Sequence, residues 1–498
     1  SYSFSPELQD EWEWSQRYPS AQELMAYLEH VADRFKLREK IQFNTRVDAA
    51  EFIEAENLWR LRTSDGKTLK ARFLVPATGG LSVPKPPEIP GIETFKGEAY
   101  HTGRWPRKEP TFEGKRIGVI GTGSSGVQVI HSLAGQCKHL TVFQRTAVFV
   151  VPAKNHPLTP EMRQRARATY AERRNLSRIT RFGIPAPMSN KSALDATPEE
   201  RQAKFENAWV NSQLLGFRQC FGDILSNDAA NETVADFIRG KIREIVKNPE
   251  TAQKLLPYGF PFGTKRPCLS DTYYSVFNRD DVSLVDLKST PIARIVPDGI
   301  ETTEGLIELD MLIYATGYDA LTGALTHIDV RGVGGRKLTD KWEGGAKAYL
   351  GLMTEGFPNL FTVTGPGSPG PLANMAMSIE QHVDWIADCM QYLRDSGIAR
   401  IDTDKTAEEA WMQHVQEVVS RTLYEKANSW YRGANVPGKP QLFLPYLGGH
   451  GNYRKKCDDV AAAGYQGFVL TRASTAAQSV GDTAASRVAE AGLAGGSV

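Results

Sequence analysis

Apolar and polar positions fall into recognisable blocks along the chain. Residues 116–120 (RIGVI) form a short apolar run with β-branched residues, followed at once by Gly121-Thr122-Gly123-Ser124-Ser125-Gly126 and then by VQVIHSL, whose spacing suits a helix. A strand, a tight turn and a helix start are predicted there, and HLTVF at 139–143 predicts the next strand. Upstream, Ser20 to Glu23 reads as a capping box, and Leu24, Tyr27, Leu28, Val31 and Phe35 recur on one face, predicting a helix to about residue 36. Trp59, Leu61 and Thr63 alternate against Arg60 and Arg62, Asp65-Gly66 marks a hairpin turn, and 68–79 (TLKARFLVPATG) is expected to return as a strand.

The same pattern recurs later. A strand at 282–287, strands around Asp298-Gly299, and LIELDMLIYATG ending in Ala315-Thr316-Gly317 repeat the earlier meander and its ATG ending. This internal repeat predicts two similar dinucleotide-binding units. The glycine loop at 121–126 precedes the second ATG strand, so by symmetry the first unit is expected to have its own glycine loop upstream of residue 1. GPGSPG at 365–370 does not serve, because prolines stand where a helix should start.

Residues 152–262 carry charge at helical spacing and predict an inserted helical subdomain. In 378–393, Ile379, Val383, Ile386 and Met390 are expected to form a core face. From about 472 the sequence is small, polar and of low complexity, which predicts a disordered tail.

The glycine pattern has a mechanism. Gly121 lets the backbone turn, Gly123 leaves room for a pyrophosphate, Gly126 lets helix and strand pack closely, and the phosphates sit at the positive helix end. At the end of the second strand an NAD-preferring fold usually places an acid for the ribose hydroxyl, but here stand Gln144, Arg145 and Thr146. A guanidinium suits a 2′-phosphate better than a neutral hydroxyl, so NADP is favoured, with a solvated surface arginine as the alternative.

Bulk composition narrows the remaining classes. The 498 residues exceed one ordinary core and predict two or three domains. A formal net charge of +1 gives no reason to invoke nucleic acid or an acidic membrane surface. Cys137, Cys220, Cys268, Cys389 and Cys457 are odd in number, far apart and without CxxC spacing, which argues for reduced thiols in a cytoplasm and against a metal site or disulfide framework. No apolar run is long enough to span a bilayer and no signal peptide is found. The first residue is Ser1 rather than Met, which is read as processing or a fragment.

The run Phe95-x-Gly97-xxx-His101-xxx-Trp105-Pro106, between an ATG and the second glycine loop, resembles the fingerprint of type I Baeyer–Villiger monooxygenases. GTKR (263–266), FNRD (277–280), IYATGYDALTGAL (313–325), FPNLF (357–361), GPGSPG and SWYRGANVPGKP (429–440) resemble, in order, the phenylacetone monooxygenase type. The resemblance covers essentially residues 1–471. It departs from the family in one respect: the segment with the first glycine loop, a glycine-tryptophan motif and an active-site aspartate is expected before Ser1.

The resemblance implies two Rossmann-like domains of three-layer ββα form. FAD would lie on 1–80 and 316–471, NADP on 81–151 and 263–315, with 152–262 inserted and 472–498 disordered. It implies that NADPH reduces FAD, O₂ adds to give a peroxyflavin, and a ketone becomes an ester or lactone. A fixed cation beside the anionic peroxide is then needed, and Arg266 is the candidate. Lys265 and Arg145 are expected to clamp the 2′-phosphate, with Thr146 adding a hydroxyl. His101 and Trp105 are read as a hinge coupling NADP binding to domain movement. By the resemblance, Trp430 lies over NADP in a mobile loop, Met375 faces the flavin, and Val47 contacts the adenine through its backbone. Cys268 is read as packing.

A ketone and O₂ are the expected partners, with a monomer as the working unit. Gly370-Pro371 alters an expected pocket bulge, and aryl or medium-chain ketones are the expected substrates. The competing readings are a flavin monooxygenase acting on nitrogen or sulfur, and an NADP-binding fragment without catalysis.

Overall fold

The computed structural model describes residues 4–186, 188–211 and 216–472. The tail expected over 472–498 lies, apart from Arg472, outside the described residues.

The glycine turn leaves the central strand of a five-stranded sheet ordered Glu98–His101, Met311–Tyr314, Arg116–Ile120, His139–Gln144, Val282–Asp286, in which every pairing is parallel. Side-chain alternation divides its residues between two cores. Ile117, Val119, Leu140, Val142, Met311 and Ile313 pack on Val127, Ile130 and Leu133 of helix Ser124–Leu133. Ile120, Phe143, Leu312 and Tyr314 pack the other way, on Ile295 and Ile300 of an antiparallel meander, Ile292–Val296, Gly299–Thr302 and Gly305–Glu308. Both faces are therefore covered, which is why these strands read as continuous apolar runs rather than alternating ones. Helix, parallel sheet and meander make the expected three layers.

The earlier copy of the pattern builds a second meander from Val47–Ile53, Leu58–Thr63 and Thr68–Ala71, with Asp329–Arg331 paired parallel to its first strand. Phe52, Trp59 and Leu61 point into its core. The strand expected over 68–79 stops at Ala71, and beyond it Leu74 makes only an isolated bridge with Leu360. The later equivalent, Met311–Tyr314, has a strand on each side, whereas Leu74 is bridged on one side alone among the described residues, donating to Asn359 O and accepting from Phe361 N.

Between Val150–Val151 and Cys268–Leu269, which pair in parallel, lie, among the described residues, six helices: Pro160–Ala168, Tyr170–Ile179, Pro198–Asn211, Gly216–Cys220, Asp228–Ile245 and Pro249–Leu255. The last four residues of the charged run expected to be helical through 215 lie outside the described residues. Phe205, Phe217 and Phe221 tie these helices into the same core as the parallel sheet.

Two local expectations are corrected. Ser20 does cap helix Ala21–Arg34 by accepting from Glu23 N, but the Glu23 carboxylate accepts from Ser15 N and Oγ instead of completing the box. On that helix only Tyr27 is buried, while Leu28 and Phe35 are exposed. In helix Met375–Asp395 the core face is rotated from the expected one: Ile386 is buried and Met390 half-buried as expected, but Ile379 and Val383 are exposed, and Gln381, His382, Trp385, Cys389 and Leu393 are buried. Buried polar side chains misled the reading, because His382 is satisfied inside the protein, Nδ1 accepting from Thr364 N and Nε2 bonded to Tyr453 Oη.

Candidate active site

Gly121 turns the chain at φ +106°, a region that side chains rarely adopt, and a Cβ there would stand 2.6 Å from Ala315 O. A Cβ on Gly126 would lie 2.1 Å from Gly121 O, so helix and strand meet at a distance only glycine permits. Over Gly123, by contrast, a Cβ would meet no atom within 4 Å. Gly123 is also the N-cap of helix Ser124–Leu133 and makes no side-chain cap, so the positive end of the helix faces that free volume. Ser124 Oγ accepts from Cys268 Sγ at 3.5 Å, and half-buried Ser125 is the next helical residue.

The turn is tied to the neighbouring strand end, since Thr122 Oγ1 donates to Thr146 O at 2.9 Å. Gln144 is turned inward: it is 2% exposed and its amide donates to Lys254 O, a strut to the helical insertion. Arg145, one residue on, is exposed. Burial lowers the Lys265 ammonium, and the charges of Arg145 and then Lys288 lower it further. Lys265 Nζ sits 4.4 Å from the Phe260 ring centroid. None of these three cations forms an ion pair among the described residues. Three unneutralised cations around one point describe an anion site.

Arg266 follows Lys265 on the same turn, exposed and without a hydrogen bond or ion pair among the described residues. Burial raises both the Cys268 thiol and the Tyr431 phenol, and the Arg266 cation opposes it in each. Arg266 thus lies between the glycine turn, through Cys268 and Ser124, and the segment Trp430–Arg432. The Trp430 and Tyr431 ring centroids are 4.3 Å apart, and both pack with Tyr424, Phe443 and Leu447.

The fingerprint residues converge on the strand beside Met311–Tyr314. A Cβ on Gly97 would stand 2.5 Å from Asp310 O and 2.6 Å from Phe95 Cζ, so the glycine lets Phe95 fold over the strand entry. His101 Nδ1 accepts from Gly103 N, leaving Nε2 to face Lys85 O and Thr316 Oγ1, each at 3.2 Å. Burial holds its imidazole below the usual value. Trp105 packs against Tyr100 and Phe112. Lys85 Nζ donates in turn to Asn435 O, Asn435 Nδ2 donates to Tyr318 O at 2.6 Å, and Lys439 pairs with Asp319 at 2.6 Å. His101 is therefore joined through two residues to the segment that carries Trp430.

Met375 opens helix Met375–Asp395, and its Sδ would lie 2.9 Å from a Cβ on Gly370. Val47 is half-buried at the start of its strand, opposite Thr63, some way along the chain from the other site residues. No hydrogen bond or ring contact connects Val47 to the Arg266 region among the described residues.

A family profile described as pyridine nucleotide-disulphide oxidoreductase matches residues 2–207. The chain is 42% identical over 471 residues to a cyclohexanone 1,2-monooxygenase of Acinetobacter sp, covering 94% of this chain and 86% of that protein. The chain belongs to the type I Baeyer–Villiger monooxygenases. This family depends on FAD and NADP. A solved structure of an oxidized steroid monooxygenase bound to NADP superposes with TM-score 0.91 at 45% identity, covering 95% of this chain and 89% of that one. A structure of OTEMO in complex with FAD and NADP superposes with TM-score 0.90 at 37% identity, covering 93% and 87%.

The residues present fit both of the family's cofactors. The free volume over Gly123 beside a helix N-terminus suits a pyrophosphate, and the unpaired Arg145, Lys265 and Lys288 suit an additional phosphate. Val75, 38% exposed, and Leu81, 50% exposed, are apolar side chains left uncovered on either side of Ala77–Gly80, where a bound cofactor could cover them. Lys288 and Lys85 are absent from the sequence reading, and Asn435 and Lys439 stand in it only within SWYRGANVPGKP, without a role. Lys288 was within reach of it: parallel strands bring their C-terminal ends to one edge, and Gln144 lies opposite Asp286.

Proposed function

We propose that this chain inserts one atom of O₂ beside a ketone carbonyl, giving an ester or lactone, with NADPH as reductant and FAD as bound cofactor. The observation that carries the reading is the convergence, on one face of the parallel sheet, of the open glycine turn, the unpaired cations and Arg266 in a chain of this family.

NADP is assigned to 81–151 and 263–315, with its pyrophosphate over Gly121–Gly126 and its 2′-phosphate between Arg145, Lys265 and Lys288. Thr146 adds a hydroxyl, and Gln144 holds the Arg145 backbone in place through Lys254. FAD is assigned to 1–80 and 316–471, with Met375 and Val47 among its contacts. Bound and reduced, FAD supplies the activated oxygen. Arg266 holds a positive charge where negative charge collects on that oxygen, and its exposed, unpaired side chain is free to turn between nicotinamide and oxygen. Trp430, packed on Tyr431, would lie over the bound NADP. Through Lys85 and Asn435, His101 passes the position of the fingerprint strand to the Trp430 segment.

Aryl and medium-chain ketones are the proposed substrates. A monomer is the proposed working unit. The five free cysteines support a reducing compartment, the cytoplasm, and among the described residues no helix is long and apolar enough to cross a membrane.

The test is a panel of aryl and medium-chain ketones beside thioethers and tertiary amines, with NADPH and air. Esters from ketones are expected; oxidation confined to sulfur or nitrogen would replace this reading.

A further inference from the structure

A cavity of about 500 Å³ opens between the end of helix Tyr170–Ile179 and the turn after helix Lys405–Ser420. Arg181 and Arg421 both line it, both are exposed, and neither forms an ion pair among the described residues. No acidic side chain is among its described lining residues. Asp223, in the adjoining cavity, is already engaged, accepting from Ser192 Oγ at 2.6 Å and Ala193 N at 2.8 Å. The mouth is therefore a cationic pair with no internal neutraliser.

One part of the cavity lining is apolar. It is made by Leu225, Val418 and Leu447. Leu225 touches the turn that carries Arg266, since a Cβ on Gly263 would stand 2.8 Å from Leu225 Cδ2. Val418 and Leu447 pack in the same cluster as Trp430, Tyr431 and Leu372. On another side, Phe182 O accepts from Asn374 N, the residue before Met375. Leu225, Val418 and Leu447 thus belong both to the cavity lining and to the packing around Gly263, Trp430 and Leu372. The arginine pair and this aliphatic wall form an amphipathic path towards the reacting centre.

We propose that this cavity is the outer compartment of the substrate site and binds the carboxylate of an elongated keto acid through Arg181 and Arg421, while the alkyl chain passes the Leu225–Val418–Leu447 wall. The inference rests on the Baeyer–Villiger reading above. It narrows the substrate class from medium-chain ketones in general to those with an anionic far end.

The test compares a medium-chain keto carboxylate with its own methyl ester, in the wild type and in Arg181→Ala, Arg421→Ala and the double variant. The acid is expected to have the higher kcat/KM in the wild type, and each substitution is expected to lower the acid-to-ester ratio by about tenfold, mainly through KM. The wild-type preference is expected to weaken as ionic strength rises. Decanoate, which carries the tail and no ketone, is expected to bind the resting holoenzyme by calorimetry and to lose about tenfold affinity in each variant. Equal use of acid and ester in all four proteins, with no difference in decanoate binding, would overturn the inference while leaving ketone oxidation intact. Failure of the wild type to oxidise either compound or any neutral ketone would instead overturn the reading on which it rests.

Discussion

Two glycines of the turn differ sharply in what surrounds them, and this yields a paired prediction. At Gly126 a Cβ would sit 2.1 Å from Gly121 O and 2.9 Å from Gly121 C, both backbone atoms of the tight turn itself. Alanine gains about 1 kcal/mol of helix propensity there, but relieving the overlap requires the turn to open by about an ångström, an overpacking cost of about 1–3 kcal/mol or more. Gly126→Ala is therefore expected to lower Tm by several degrees, at about 2–4 °C per kcal/mol, and to weaken NADP binding as a consequence. At Gly123 φ is −73°, which any residue adopts, and a Cβ meets nothing within 4 Å. Losing glycine at the N-cap and restricting the unfolded chain offset each other to within about 1 kcal/mol, so Gly123→Ala is expected to melt like the wild type. Its methyl group, however, would stand where a pyrophosphate approaches the helix N–H groups. Losing one or two charge-assisted hydrogen bonds of about 1.5–3 kcal/mol each raises the Kd for NADP⁺ by about 10- to 100-fold or more. Thermal melting and calorimetric titration with NADP⁺ read the two quantities separately. A Gly123→Ala protein that binds NADP⁺ within twofold of the wild type would refute the placement of the phosphates over this turn.

Further predictions follow from the same geometry. Arg145→Ala is expected to raise KM for NADPH by about 10- to 100-fold while leaving that for NADH nearly unchanged, and Lys288→Ala to do the same more weakly; equal losses for both nucleotides would remove the 2′-phosphate assignment. Arg266→Ala is expected to lower ester formation by at least about a hundredfold while NADPH-dependent bleaching of the flavin persists, measured by stopped-flow absorbance; retained ester formation would remove Arg266 from its role. Stability should depend on pH through three buried groups. Burial lowers His382 and His450 to about 4, so the unfolded chain, with histidines near 6.5, takes up protons first as pH falls. The stability they confer is present above pH ~6.5 and lost towards pH 4, roughly 3 kcal/mol for each. Burial raises Asp402 to about 6, so the folded state takes up that proton first and opposes the loss over pH 6 to 4. Asp402→Asn should therefore steepen the acid decline in Tm between pH 6 and 4, and an unaltered slope would count against the assignment.

The parallel sheet was legible from sequence because strands buried on both faces are continuous apolar runs, and the glycine turn because its residue spacing directly states a backbone requirement. The exposed end of Met375–Asp395 was not legible in phase. Apolar residues stand on both of its sides, and the buried side also holds Gln381 and His382, the latter bonded to Thr364 and Tyr453 from other parts of the chain. The strand ending at Ala71 was overrun because a strand needs neighbours, and which segments become neighbours is a property of the fold rather than of the segment. Arg145 could be singled out at the end of a predicted strand, and Lys265 through the GTKR motif of the resemblance. Their meeting with Lys288, and the tie from His101 through Lys85 to Asn435, depend on tertiary placement alone.

The central claim is the transfer of one oxygen atom from O₂ into a ketone, and isotope labelling measures it directly. The protein supplied with FAD, NADPH and a medium-chain ketone under ¹⁸O₂ is predicted to yield an ester carrying one heavy oxygen in the newly formed C–O–C linkage, with one NADPH consumed per ester. NADPH oxidation that yields only hydrogen peroxide across the ketone panel, or an ester whose new oxygen comes from water, would contradict it.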